Sequence, residues 1–357
     1  MQESKKLYLS EFAVNLFSAR WLMTSANQFM TGGTMGADEQ DVANNCHIYL
    51  ICKSPIISFS KDSLKHEDGN LSVKVNYRVE GDIREKEFSF DFPLLDGATS
   101  VKLSNYPHRE ILTLDSEGAE VRHLPANIVS MGMGWHLDNP ELSDLEVLYV
   151  GQAFGDGTRT AFERLKSHST LQKILAQAQY ESPDSEIQIL TFEYVPYRII
   201  HQMDGRAENV ISDYRDMERF RSIRDNHLSE HEQICLIEAG LIRYFQPRYN
   251  AIYKDNFPSD KHKILEGCYN LDFSGLIVEI NTDELRYRLF SDVAKPRDHH
   301  ICQIDLLDPE KRWGFFITDG VMALSLKCQG LLIGVRSANK WFKPFASLTR
   351  DGLKPAP

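Results

Sequence analysis

The sequence predicts a mixed α+β protein in which a central α/β unit, residues 126–256, sits between β-rich regions at 1–125 and 257–357. Three observations carry that expectation. Short alternating runs punctuated by Gly, Asp and Pro fill the two flanks, whereas the middle alternates strand-like and helix-like periodicities. The chain has 357 residues with 42% hydrophobic residues, 21 Gly and 14 Pro, a globular composition long enough for more than one packed unit. Its 40 Lys and Arg face 51 Asp and Glu, for a formal charge of −11, so any contact with a polyanion has to be local.

Taken in order, the first apolar stretch is broken by Glu11, Asn15 and Arg20, with no small-residue cleavage site after it, so no signal peptide is expected. No stretch approaches the roughly 20 apolar residues of a membrane span. HIYLICKSPIISFS at 47–60, LSVKVNYRVEGDIREKEFSFDF at 71–92 and REILTL at 109–114 read as strands, with Gly81-Asp82 marking a hairpin turn. In the middle, SDLEVLYVG (143–151) and SEIQILTFEYV (185–195) read as strands. RTAFERLKSHSTLQKILAQAQ (159–179) and SEHEQICLIEAGLIRYF (229–245) read as helices, with a charged helical insertion at 207–226. SGLIVEI (274–280), ICQIDLL (301–307) and RWGFFIT (312–318) return to strand patterns. The two flanks form either separate β domains or one split β-sandwich whose halves meet in space. Six scattered cysteines without a CxxC pair point to reduced thiols in a cytoplasmic protein.

Glu238 is the most informative residue. Ile234, Ile237, Leu241, Ile242 and Phe245 recur at three- and four-residue steps, and at 100° per residue Glu238 falls inside that apolar stripe. A carboxylate so placed needs a cation, a donor network or a metal, and a buried Arg would serve equally well. On an earlier helix, Arg164 and His168 lie four residues apart, which sets a permanent cation beside an imidazole, although a solvated face produces the same spacing. Pro247 then stops the Glu238 helix, and Asn250 lies just beyond.

The series formed by Tyr149 in LYVG (148–151), RLKSH (164–168), the acidic helix and QPRYN (246–250) resembles the GIY-YIG nuclease superfamily over roughly residues 126–256. The LIEAGLIRYFQPRYN segment (236–250) is similar to the corresponding part of the excision-repair incision nuclease. The first half of the signature has no clean match within ten residues upstream. The nearest candidate is Gly134-Trp135-His136, which would put His136 in the place of the first tyrosine.

The resemblance implies a GIY-YIG-like central domain and a metal-dependent phosphodiesterase. Glu238 would hold Mg²⁺, or Mn²⁺ in its place. Arg164 would neutralise developing charge, and Tyr149, His136 or His168 would activate water. Arg159, Lys166, Asn250 and Lys254 would contact the substrate. The expected partner is nucleic acid, DNA ahead of RNA, with the flanks recognising the target, a protein partner or a second copy. No membrane contact is expected. Over 146–256, 13 basic side chains face 17 acidic ones, leaving −4. That balance keeps a rival in play: a non-catalytic module that uses the nuclease fold for binding within a larger complex. In the enzyme, Tyr149, Arg164, His168 and Glu238 should converge on one open cleft. His299, His300 and Cys302 lack a second pair at metal-site spacing and are read as a loop and strand edge.

Overall fold

The computed structural model describes residues 8–31, 36–153, 165, 169–203, 210–259, 261–307 and 314–316. Along the chain the strands are β1 (Ser10–Ser25), β2 (Ile48–Pro55), β3 (Ile57–Phe59), β4 (Lys65–Glu67), β5 (Asn70–Val79), β6 (Asp82–Asp91), β7 (Ser100–Leu103), β8 (Glu110–Leu114), β9 (Glu120–Pro125), β10 (Asp144–Gln152), β11 (Ser185–Tyr194), β12 (Arg198–Met203), β13 (Gly275–Asn281), β14 (Arg288–Phe290) and β15 (His299–Asp305). The architecture is mixed α+β.

Eight of these strands form one sheet in the order β14-β10-β2-β11-β1-β13-β15, with β12 also on β1. β11 and β12 run along β1 as one interrupted path, broken at Val195-Pro196-Tyr197, where proline has no N–H to give to a ladder. The two ends of the sheet approach each other, making it nearly closed and barrel-like. There Leu289 and Arg297 exchange backbone hydrogen bonds of 2.8 and 3.1 Å, and His300 Nε2 donates to the carbonyls of Leu289 (2.8 Å) and Arg297 (3.1 Å).

The three segments expected from the sequence do not each build their own sheet. β1 and β2 come from 1–125, β10 to β12 from 126–256, and β13 to β15 from beyond 257. The flanks do meet in space, since residues 13–17 pair in parallel with 275–279, but they do so inside the sheet that also holds the middle strands, not as a sandwich of their own. Local periodicity marks a strand without naming its partner, and this pairing closes over most of the chain.

The acidic helix (Glu230–Phe245) packs on one face of the sheet. Ser229 caps it, accepting from Glu232 N–H while Glu232 reaches back to Ser229 N–H. Its Ile234, Leu236, Ile237, Ala239, Leu241, Ile242 and Phe245 join residues from β1, β2, β10, β11, β13 and β15 in the main core. Burial on nearly every side fits a helix that is apolar nearly all round. At Gly240 the helix comes so close to β13 that an added Cβ would stand 2.8 Å from Val278 Cγ2.

Residues 56–143 form an insertion between β2 and β10, which are themselves antiparallel neighbours. Two small sheets, β3-β5-β4 with β6, and β7-β8-β9, share a second core built from Phe59, Val73, Tyr77, Phe88, Ile111 and Trp135. The expected hairpin is present: Val79 pairs with Asp82 across Glu80 and Gly81, both at positive φ (51° and 87°), as a two-residue turn requires.

The polar residues that interrupt the β1 pattern are each paired. Asn15 donates to Glu279 (2.7 Å), and Arg20 bridges Asp41 and Glu193. Glu11, fully buried, meets Arg219 Nη2 at 3.4 Å, and Arg219 also engages Asp216, Asp272 and the Ser10 carbonyl. His299 pairs with Glu279, and the Cys302 thiol donates to the Gly240 carbonyl. Of the strand expected at 312–318, only 314–316 lie among the described residues, with Phe315 packed over Gly275 and Ala13. Five described cysteines are free and buried. No described helix is long and apolar enough to cross a membrane.

His300 gives this closure a pH dependence. Both partners of Nε2 are carbonyls, so Nε2 carries the proton and Nδ1 accepts from Tyr244 Oη at 3.1 Å. Burial pushes this imidazole down to about 4 from 6.5. Between those values the unfolded chain binds a proton that the folded chain refuses, so stability falls as pH drops from 6.5 toward 4, by up to about 3 kcal/mol. In thermal melts across that range, a His300→Gln variant is expected to lose less stability than wild type.

Candidate functional site

The site is organised by the end of β10. Leu145, Val147 and Val150 point into the main core, whereas Leu148 and Tyr149 pack with Tyr49, Ile51, Leu165, Ile174, Ile187 and Ile189 on the other face. A register shift between Val147 and Tyr149 against β2 disturbs strict alternation here. The helix Ser169–Glu181 supplies Leu171 and Ile174 to this second layer, so the β10-β2-β11 part of the sheet lies between that helix and the acidic helix.

Gly151 stands opposite Tyr49 on β2. A Cβ at Gly151 would lie 2.5 Å from Tyr49 Cζ and 2.7 Å from Tyr149 Cε1, so only glycine lets both rings, 6.1 Å apart at their centroids, close over this backbone. Gly151→Ala is therefore expected to cost about 1–3 kcal/mol through displacement of the rings, measured as a lower melting temperature.

His136 does not lie on a strand beside Tyr149. The segment carrying His136 is a short helix, Trp135–Asp138, in which His136 is buried beside Tyr287 and its pKa is lowered by that burial. The strand that flanks YVG is β2, and the tyrosine it brings there is Tyr49, in the sequence His47-Ile48-Tyr49. The whole 56–143 insertion separates Tyr49 from Tyr149 in sequence.

Asn250 is held by the same strand. Its Oδ1 accepts from Val150 N–H (2.9 Å), its Nδ2 donates to the Val150 carbonyl (2.8 Å), and Tyr249 N–H donates to the Leu148 carbonyl (3.1 Å). The QPRYN exit is thus laid along β10. Phe245 is the last helical residue, Gln246 turns at φ 47°, and Pro247 follows. Asn250 acts here on the backbone of the YVG strand, a role different from the substrate contact that the resemblance implies.

Glu238 is half-buried, and Oε2 accepts from Gln152 Nε2 at 2.9 Å, which ties the acidic helix to the residue just after Gly151. Gln152 was not singled out from the sequence, since nothing in its pattern marks it. Nearby, burial and the charge of Glu238 push the Tyr253 phenol up. Lys254, the next residue, is half-buried and its carbonyl accepts from Arg243. Lys173 and Arg248 flank the Tyr249 ring at 5.9 and 5.5 Å, with Arg248 also paired to Glu181 at 2.8 Å. Arg159, Arg164, Lys166 and His168 lie outside the described residues, although Leu165 among them is buried against the Tyr49 layer.

Among the described residues, no group of three or more His, Cys, Asp or Glu side chains is placed to share a metal ion. Glu238 therefore offers one carboxylate.

No family model, curated protein or solved structure matches this chain.

Proposed function

We propose that the protein is a divalent-cation-dependent endonuclease that hydrolyses phosphodiester bonds, with DNA as the favoured substrate and the end of β10 as its catalytic centre. The observation that carries this reading is the Gln152–Glu238 hydrogen bond, which joins the acidic helix to the YVG strand at the point where Tyr49 and Tyr149 cover Gly151.

In this reading Glu238 presents a carboxylate oxygen to Mg²⁺ or Mn²⁺. The bound cation would polarise a phosphate oxygen and stabilise developing negative charge. Arg164 neutralises charge on the phosphate oxygens in the transition state. His168 takes the proton of the attacking water more readily than Tyr149, because a phenol with an ordinary pKa near 10 is a weak base at neutral pH. Tyr49, fully buried, holds the ring layer in place and does not itself react. The inserted 56–143 unit, with its own core, is suited to target or partner recognition.

The second reading, a non-catalytic binding module, is favoured by one observation: both ends of the Asn250 amide are engaged by Val150. Cleavage of plasmid and single-stranded oligonucleotide by wild type, Arg164→Ala and Tyr149→Phe separates the two. Metal-dependent cutting that Arg164→Ala removes supports the enzyme. Binding of nucleic acid without cutting, unchanged by Arg164→Ala, supports the module.

A further inference from the structure

We propose that Gln152 is a positioning residue that fixes the Glu238 carboxylate for a divalent cation, and that Cys235 and His231 hold Gln152 in its working orientation. The proposal rests on the reading of Glu238 as the cation ligand.

His231, Cys235 and Glu238 follow one another at steps of four and three, so they share one face of the acidic helix. Gln152 lies against that face from the end of β10. Its Nε2 is 2.9 Å from Glu238 Oε2 and 3.5 Å from Cys235 Sγ. Cys235 Sγ is 3.9 Å from Gln152 Oε1 and 3.6 Å from His231 Nε2.

The direction of this network follows from chemistry. An ionised carboxylate only accepts, so the amide must turn its NH₂ toward Glu238. The same NH₂ lies nearer the Cys235 sulfur (3.5 Å) than the amide oxygen does (3.9 Å), so Cys235 accepts from it and holds the amide beside Glu238; burial pushes the thiol pKa up, against the lowering effect of this hydrogen bond. His231, one turn earlier, meets the same sulfur. The amide uses one of the roughly four lone-pair positions of the carboxylate and fixes its rotation. Partners of this kind, which orient a ligand without touching the metal, are typically worth about 10–100-fold in metal affinity.

The test is Mn²⁺ binding to the full chain, followed by electron paramagnetic resonance near neutral pH, in wild type, Glu238→Ala, Gln152→Leu and Gln152→Glu. Wild type is expected to bind and Glu238→Ala not to. Gln152→Leu should bind about tenfold more weakly with an unchanged melting temperature. Gln152→Glu should bind more tightly than wild type, because a second carboxylate then faces the same cation. A purely structural glutamine would move the melting temperature and leave affinity alone. Wild-type affinity in Gln152→Leu, with binding lost in Glu238→Ala, overturns the role of Gln152 and spares the cation reading. Equal Mn²⁺ binding by wild type and Glu238→Ala overturns that reading and this proposal with it.

Discussion

Glu238→Ala is expected to abolish Mg²⁺-dependent cleavage, lowering the rate by about 10³-fold or more, because the chain then loses the carboxylate proposed to hold the cation. The fold should survive. Glu238 is half-buried and contributes a carboxylate to a polar network, not an apolar side chain to the core, so stability should change by no more than about 1 kcal/mol. Parallel measurements of plasmid nicking and of thermal melting check both halves of this expectation. An inactive variant with an unchanged melting temperature locates the chemistry at Glu238. A variant that cuts as well as wild type removes Glu238 from the mechanism.

The largest effect on stability is expected at Arg219. Its guanidinium is 9% exposed, faces Glu11, Asp216 and Asp272, and stacks over the Tyr8 ring at 3.9 Å. Arg219→Met retains the apolar stem but leaves Glu11, 0% exposed, without that cation. Removing one partner of a buried ion pair typically costs about 3–5 kcal/mol. Denaturant unfolding should show a loss of this size in Arg219→Met, with part of it recovered in the double variant Glu11→Gln/Arg219→Met. A loss below about 1 kcal/mol would mean that the carboxylates of this cluster find adequate solvation without the arginine.

The elements that hold the candidate site were legible because they are local. The strand read at 143–151 is Asp144–Gln152, the strand read at 185–195 is Ser185–Tyr194, and the helix read at 229–245 is Glu230–Phe245. Period-2 and period-3.6 patterns mark where apolar residues cluster, although burial is continuous over residues 187–192 and reaches nearly every side of the helix. Glu238 stood out for the same reason, as a carboxylate in an apolar stripe.

What the pattern could not carry was long-range pairing. β1 was obscured as a strand because Glu11, Asn15 and Arg20 interrupt its apolar run, and their partners, Arg219, Glu279 and Glu193, lie roughly two hundred residues away or more. That Tyr49 lies in the strand beside Tyr149 is not readable from the sequence, because residues 56–143 separate them. The strand next to YVG is contributed from before the 56–143 insertion. Asn250 was recognised as a position but not for its contact, since a side-chain amide that pairs with a strand backbone leaves no periodic signature.

Cleavage of phosphodiester bonds with the help of a divalent cation, as proposed for this chain, is directly measurable. The most direct measurement is incubation of the purified full chain with supercoiled plasmid, single-stranded DNA and RNA, each with Mg²⁺, Mn²⁺ or EDTA. Nicking or fragmentation of DNA is expected with either cation, and none with EDTA. A folded chain that leaves every substrate intact with both cations would contradict that proposal.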